Sequence, residues 1–70
     1  MITVWTKPGH CSQCDATKRI LDKKGIDYRE RVIGDVEREA FKAQGLMQAP
    51  IVETDRETWA GHRMDKLITL

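Results

Sequence analysis

Apolar and polar positions along the chain alternate in short runs that predict seven elements. Ile2-Thr3-Val4-Trp5-Thr6 reads as a strand. A helix is expected from Ser12 to Lys24: Ser12 and Asp15 have capping-box-like spacing, Lys23 and Lys24 suit the last turn, and Gly25 is placed to end it. Its inward stripe would be Ala16, Ile20 and Leu21. Ile26 to Ile33 has the length of a second strand, partly exposed because it carries Asp27, Arg29, Glu30 and Arg31. Asp35 is the expected N-cap of a second helix, with Val36, Ala40 and Phe41 inward and Gly45 at its end. Pro50-Ile51-Val52-Glu53 reads as a third strand, Thr54-Asp55-Arg56 as a turn, and Glu57-Thr58-Trp59 as a short fourth strand. Gly61 breaks the chain before a last short helix carrying Met64, Leu67, Ile68 and Leu70.

The order is strand-helix-strand-helix-strand-strand-helix, an α/β arrangement. Two strands joined by a helix must run parallel with a right-handed crossover, whereas the third and fourth are close enough to form an antiparallel hairpin. A four-stranded mixed sheet with three helices on its faces follows. Seventy residues with a 40% apolar share support one domain over 1–70, near the lower limit for an unaided core.

Charge narrows the function. Twelve basic and eleven acidic residues are interleaved, giving a net +1, which is no footprint for nucleic acid. Lys18, Arg19, Lys23 and Lys24 form the densest basic group, either a solvated helix face or a docking patch for an acidic partner. The start has no basic segment followed by an apolar run, and nothing approaches the ~20 apolar residues of a membrane span. A cytoplasmic protein is expected.

The chemistry lies in Cys11-Ser12-Gln13-Cys14, which holds both cysteines of the chain and stands between the first strand and first helix. That placement is the signature of a thioredoxin-like redox site. As a structural staple the pair would do little, because closing so short a loop stabilises by only roughly 2 kcal/mol. At a helix start, unpaired N–H groups and the helix dipole favour a thiolate on Cys11 and lower its pKa below the ~8.5 of free cysteine, with His10 and Lys7 as further contributors. Cys11 is therefore the candidate nucleophile and Cys14, one turn deeper, the resolving thiol. Asp15 works against a second thiolate by placing a carboxylate beside Cys14. A second signal is Ala49-Pro50, where a proline opening a strand suits a cis bond set against the cysteines, with the Ala49 backbone free to pair with a substrate strand. A third is Trp59-Ala60-Gly61-His62-Arg63, which the preceding hairpin would bring round towards the Cys loop.

Taken together, these residues resemble the NrdH-redoxins, glutaredoxin-like proteins that behave like thioredoxin. The resemblance rests on Ile2 to Pro8, on Cys11-Ser12-Gln13-Cys14 with Ala16-Thr17-Lys18, on Lys24-Gly25-Ile26-Asp27-Tyr28, on Gln48-Ala49-Pro50, and on Trp59 to Asp65. It implies a minimal thioredoxin/glutaredoxin-like fold, βαβαββα, and a monomeric dithiol electron donor. Its partners would be the large subunit of class Ib ribonucleotide reductase and, for recharging, thioredoxin reductase drawing on NADPH. No bound cofactor is implied beyond the redox-active cysteines. On this likeness Cys11 attacks the target disulfide, Cys14 releases the product, Pro50 lines the site and Gln13 flanks the thiols. Trp59 and Arg63 would hold the loop before the last helix. Where the family usually has Trp-Ser-Gly-Phe-Arg-Pro, Ala60, His62 and Met64 replace Ser, Phe and Pro, and His10 lengthens the loop before Cys11 by one residue.

Rival readings remain open. A glutathione-dependent glutaredoxin would usually carry a Gly-Gly and acidic pair where this chain has Gly61-His62-Arg63-Met64-Asp65. His10, Cys11, Cys14 and His62 total the four ligands of a structural zinc site, although without paired His spacing, and some glutaredoxins share an iron–sulfur cluster. A non-catalytic adaptor would have little reason to keep both cysteines.

Overall fold

In the computed structural model, which describes all seventy residues, strand β1 (Ile2–Thr6) lies inside a four-stranded sheet of order β2-β1-β3-β4. It pairs in parallel with β2 (Tyr28–Val32) and antiparallel with β3 (Ile51–Glu53), which pairs antiparallel with β4 (Thr58–Ala60). Helices α1 (Ser12–Lys23), α2 (Asp35–Ala43) and α3 (Met64–Leu67) complete the expected βαβαββα order.

The register explains the two cores. Val4 lies opposite Val52 and Val52 opposite Trp59, so one face carries an apolar row across three strands. Leu21 of α1 and Leu67 of α3 close over that row, and Val4, Leu21, Val52 and Leu67 are fully buried. Successive strand residues point to opposite faces. Trp5, Ile51 and Ala60 therefore form the other row, covered by Phe41 and by Ile33. Trp5 meets Phe41 edge to face with centroids 5.4 Å apart, and its indole N–H donates to the Glu53 carboxylate.

Several boundaries depart from the sequence reading for physical reasons. Helix α1 ends at Lys23. Gly25, with φ +69°, lets the chain turn so that the Ile26 N–H reaches the Leu21 carbonyl at 3.0 Å. The second strand is shorter than 26–33 because its first residues are used in that turn. The innermost positions of α1 are Cys14, Thr17 and Leu21, whereas Ala16 and Ile20 are half-buried. Gly34, not Asp35, is the N-cap of α2, and its N–H donates to the Glu37 carboxylate at 2.9 Å. Only Phe41 of α2 is buried. Val36 and Ala40 face solvent because this helix meets the sheet through its C-terminal end alone. Met64, Ile68 and Leu70 are likewise exposed, leaving Leu67 as the anchor of α3.

A four-residue helix has too few internal bonds to hold its own shape. Lys24 supplies the missing support, donating from Nζ to the Leu67 and Ile68 carbonyls at 3.0 and 3.1 Å. Part of the basic group, read as a solvated face or a docking patch, is thus a C-terminal cap for another helix.

Because Leu21 is fully buried where α1 meets both the sheet and α3, Leu21→Ala is expected to cost about 2–5 kcal/mol, measured by urea unfolding. A loss below about 1 kcal/mol would show that the two helices pack independently of it.

Candidate active site

The end of β1, the start of α1 and the loops before β3 and after β4 converge at one end of the sheet. Cys11 is the N-cap of α1. Its backbone is extended (φ −146°, ψ 95°), its carbonyl accepts the Asp15 N–H at 3.0 Å, and its Sγ accepts the Cys14 N–H at 3.2 Å. The expectation that Ser12 caps this helix is therefore corrected, since Ser12 is the first helical residue and is exposed. An extended residue must precede the first helical one, and here a sulfur occupies the position where a side-chain acceptor meets the helix N–H groups. Cys11 and Cys14 are joined in a disulfide with Cα atoms 5.2 Å apart. Both are buried, Cys14 more completely at 1% exposure against 9% for Cys11.

The Ala49-Pro50 bond is cis, and Ala49 lines the same opening as Cys11. Pro50 is buried and accepts the Gly61 N–H at 2.7 Å on its carbonyl, which ties the loop before β3 to the loop after β4. Pro50 does not itself line the opening. Gln48 and Ala49 form that wall, with Lys7, Ser12 and Gln13 around Cys11, in a notch of about 300 Å³. The notch shares Lys7, Gln48 and Ala49 with an apolar groove of about 230 Å³ floored by Ile33, Phe41, Leu46 and Ile51.

The Trp59–Arg63 segment divides into different tasks. Trp59 is buried in the core, its indole N–H without a partner, so it supports the loop by packing and offers nothing for docking. His62 turns inward, and its Nδ1 lies 2.8 Å from Oγ1 of fully buried Thr17, one turn beyond Cys14. The Arg63 side chain makes its hydrogen bonds forward into α3 and not to the loop before it. It forms a two-pronged pair with Asp65 at 3.0 and 2.8 Å, and the hydrogen bond, then the opposite charge, holds the Asp65 carboxyl below its ordinary value. Lys7 and His10 are exposed. His10 and His62 do not join the cysteines in a metal-binding cluster, and no group of three or more His, Cys, Asp or Glu side chains is arranged to hold a metal ion.

Two contributors escaped the sequence reading. Thr17 was legible from helical spacing, because it lies three residues after Cys14 and four before Leu21 on the buried stripe. The pairing of Lys18 with Glu30 at 2.8 Å had no local signal, since it depends on β2 lying beside β1.

As a chemical arrangement, this is a disulfide at a helix N-terminus, one sulfur facing an open notch and the other covered. Known proteins resemble the chain in sequence and fold. The glutaredoxin family model matches residues 2–59. The glutaredoxin-like protein NrdH of Escherichia coli K12 is 37% identical over 68 residues, covering 94% of this chain and 83% of that protein. The solved structure of the Escherichia coli NrdH-redoxin, described as a glutaredoxin-like protein with a thioredoxin-like activity profile, superposes with a TM-score of 0.89 at 35% identity, over 99% of this chain and 92% of that one. A glutaredoxin from Archaeoglobus fulgidus shares the fold at a TM-score of 0.73 and 18% identity, over 99% of this chain and 83% of that one.

Gly61 has φ +84°, and a Cβ there would come 3.0 Å from the Gln48 Oε1. Gly61→Ala is expected to lower stability by about 1–3 kcal/mol in urea unfolding and to slow disulfide exchange by displacing the notch wall. Unchanged stability and unchanged exchange would show that the loop relaxes freely.

Proposed function

The chain belongs to the glutaredoxin family, among its NrdH-redoxins, and on that premise we propose that it carries electrons from thioredoxin reductase to a protein disulfide, the target being the large subunit of class Ib ribonucleotide reductase. The observation that carries this reading is the Cys11 sulfur, which caps α1 and opens on a notch walled by Gln48 and Ala49. In the reduced protein the N–H groups of the first helical turn favour a Cys11 thiolate. That thiolate attacks one sulfur of the target disulfide, and the other target sulfur leaves as a thiolate. The Ala49 backbone beside cis-Pro50 offers a pairing edge for the target strand. Cys14, with its Cα 5.2 Å from that of Cys11, then attacks the Cys11 sulfur, restores the internal disulfide and releases the second target sulfur. The product is an oxidised redoxin, which a reductase must recharge. The cycle suits a monomer in the reducing cytoplasm, and no helix is long and apolar enough to cross a membrane.

Against glutathione as the reductant stands the beginning of α3. Its single acidic side chain, Asp65, is already paired with Arg63, so neither offers a free charge to the end of the tripeptide. The thioredoxin-like activity profile of the Escherichia coli relative supports the same side of the choice.

The test is NADPH consumption with thioredoxin reductase as donor and a protein disulfide as acceptor, beside a parallel run with glutathione and glutathione reductase. Turnover is expected only in the first. Cys11→Ser is expected to abolish it, and Cys14→Ser to leave the target trapped on Cys11. Turnover with glutathione alone would make this a glutathione-dependent glutaredoxin.

A further inference from the structure

Cys14 does not border the notch that faces the target. It borders a separate cavity of about 170 Å³ on the other side of the disulfide, a chiefly polar space that Cys11 also reaches. The charged and titratable groups facing this cavity are Lys7 and His10 from the loop after β1, Asp15 and Lys18 from α1, and Glu30 from β2. Lys18 stands four residues after Cys14, on the same side of the helix one turn on. Its Nζ donates to Glu30 Oε2 at 2.8 Å and lies 3.6 Å from Asp15 Oδ1, and its side chain is only 23% exposed. The cation is thus held in place from two elements.

The resolving step needs a second thiolate, and the first-turn N–H that meets a sulfur, that of Cys14, is directed to Cys11. We propose that Lys18, clamped by Glu30 and Asp15 across this cavity, is a tuning residue for the resolving thiol, its ammonium favouring the Cys14 thiolate. The inference rests on Cys14 acting as the resolver in the function proposed above. The Cys14 thiol gives its proton to solvent through the polar cavity. The thiolate then attacks the Cys11 sulfur, so that the Cys11–Cys14 bond forms as the bond from Cys11 to the target sulfur breaks. The target leaves as a thiolate and takes a proton from water. The hydrogen bond to Glu30 raises the Lys18 pKa above its ordinary value, outweighing the opposing effect of burial. Lys18 therefore keeps its charge throughout the range in which a thiol titrates.

The two members of the ion pair should act in opposite directions. Removing the ammonium takes away an attractive charge, whereas removing the carboxylate takes away a repulsive one and frees the ammonium. A merely structural role would move both the same way, since either change breaks the same bridge. In the reduced full chain carrying Cys11→Ser, Cys14 is the sole thiol, and its titration can be followed by ultraviolet thiolate absorbance. Lys18→Met is expected to raise the midpoint by about one pH unit, Lys18→Arg to hold it near the parent, and Glu30→Gln to lower it. Midpoints that move in the same direction, or that stay unmoved, would overturn the proposal. With both cysteines present, release of target from the mixed disulfide near neutral pH is expected to slow about threefold in Lys18→Met, the tenfold smaller thiolate population being partly offset by the greater nucleophilicity of a more basic thiolate. If circular dichroism shows that Lys18→Met does not fold, the sign of the Glu30→Gln shift decides. Release at the parental rate in Cys14→Ser would instead sink the assignment of Cys14 as resolver, a result separate from the midpoints.

Discussion

The reactive end depends on a sulfur standing where a helix would ordinarily keep a hydroxyl or a carboxylate. Every α-helix begins with N–H groups that lack internal partners. Here one of them, from Cys14, is met by the Cys11 Sγ. That contact does three things together. It fixes where α1 starts, it sets the separation of the two cysteines, and it aims the positive end of the helix at the sulfur that must carry charge when the disulfide opens. Helix capping and thiol activation are one interaction, so the residue cannot be exchanged for a better cap without losing the chemistry.

The sheet register then explains why distant segments meet at that sulfur. Trp5, near the end of β1, pairs with Ile51 at the start of β3, and Ile51 pairs with Ala60 at the end of β4. The loop after β1, the loop before β3 and the loop after β4 must therefore leave the sheet at the same end. The Pro50 carbonyl to Gly61 N–H bond closes the loop before β3 onto the loop after β4, and Thr17 with His62 joins α1 to the latter. Glu30 follows from the same geometry. It lies opposite Val4 in the parallel pairing, near enough to the side of α1 for Lys18 to reach.

What was legible in the sequence follows from what is local. Val4 against Trp5, and Ile51 against Val52, send adjacent apolar residues to opposite faces, so the sheet and its two-sided core could be read from order and alternation. The spacing of the cysteines likewise needs only one turn of helix. Val36 and Ala40 misled because apolar spacing on a nine-residue helix says which residues share a face, not whether the sheet extends beneath it. Ser12 misled for a different reason. It is the stronger capping type, but the backbone leaves the helix one residue earlier, and conformation outranks side-chain preference there. The Lys18–Glu30 bridge and the Lys24 cap on α3 span 12 and 43 residues, and no local pattern encodes such contacts.

Those two lysines also show why the worth of a charge depends on what it faces. Exposed ion pairs such as Arg63–Asp65 contribute between nothing and about 1 kcal/mol to folding, because water screens both partners. Lys24 is used differently, on carbonyl groups that a four-residue helix cannot satisfy, so its value lies in letting Leu67 reach the core. Lys18 is different again. Its carboxylate partners are about half exposed and can add little stability, but Cys14, which borders the same cavity, is 1% exposed, where a fixed charge is less screened. A shift of one pKa unit corresponds to about 1.4 kcal/mol, so a contact too weak to matter for the fold is strong enough to change the population of a thiolate tenfold.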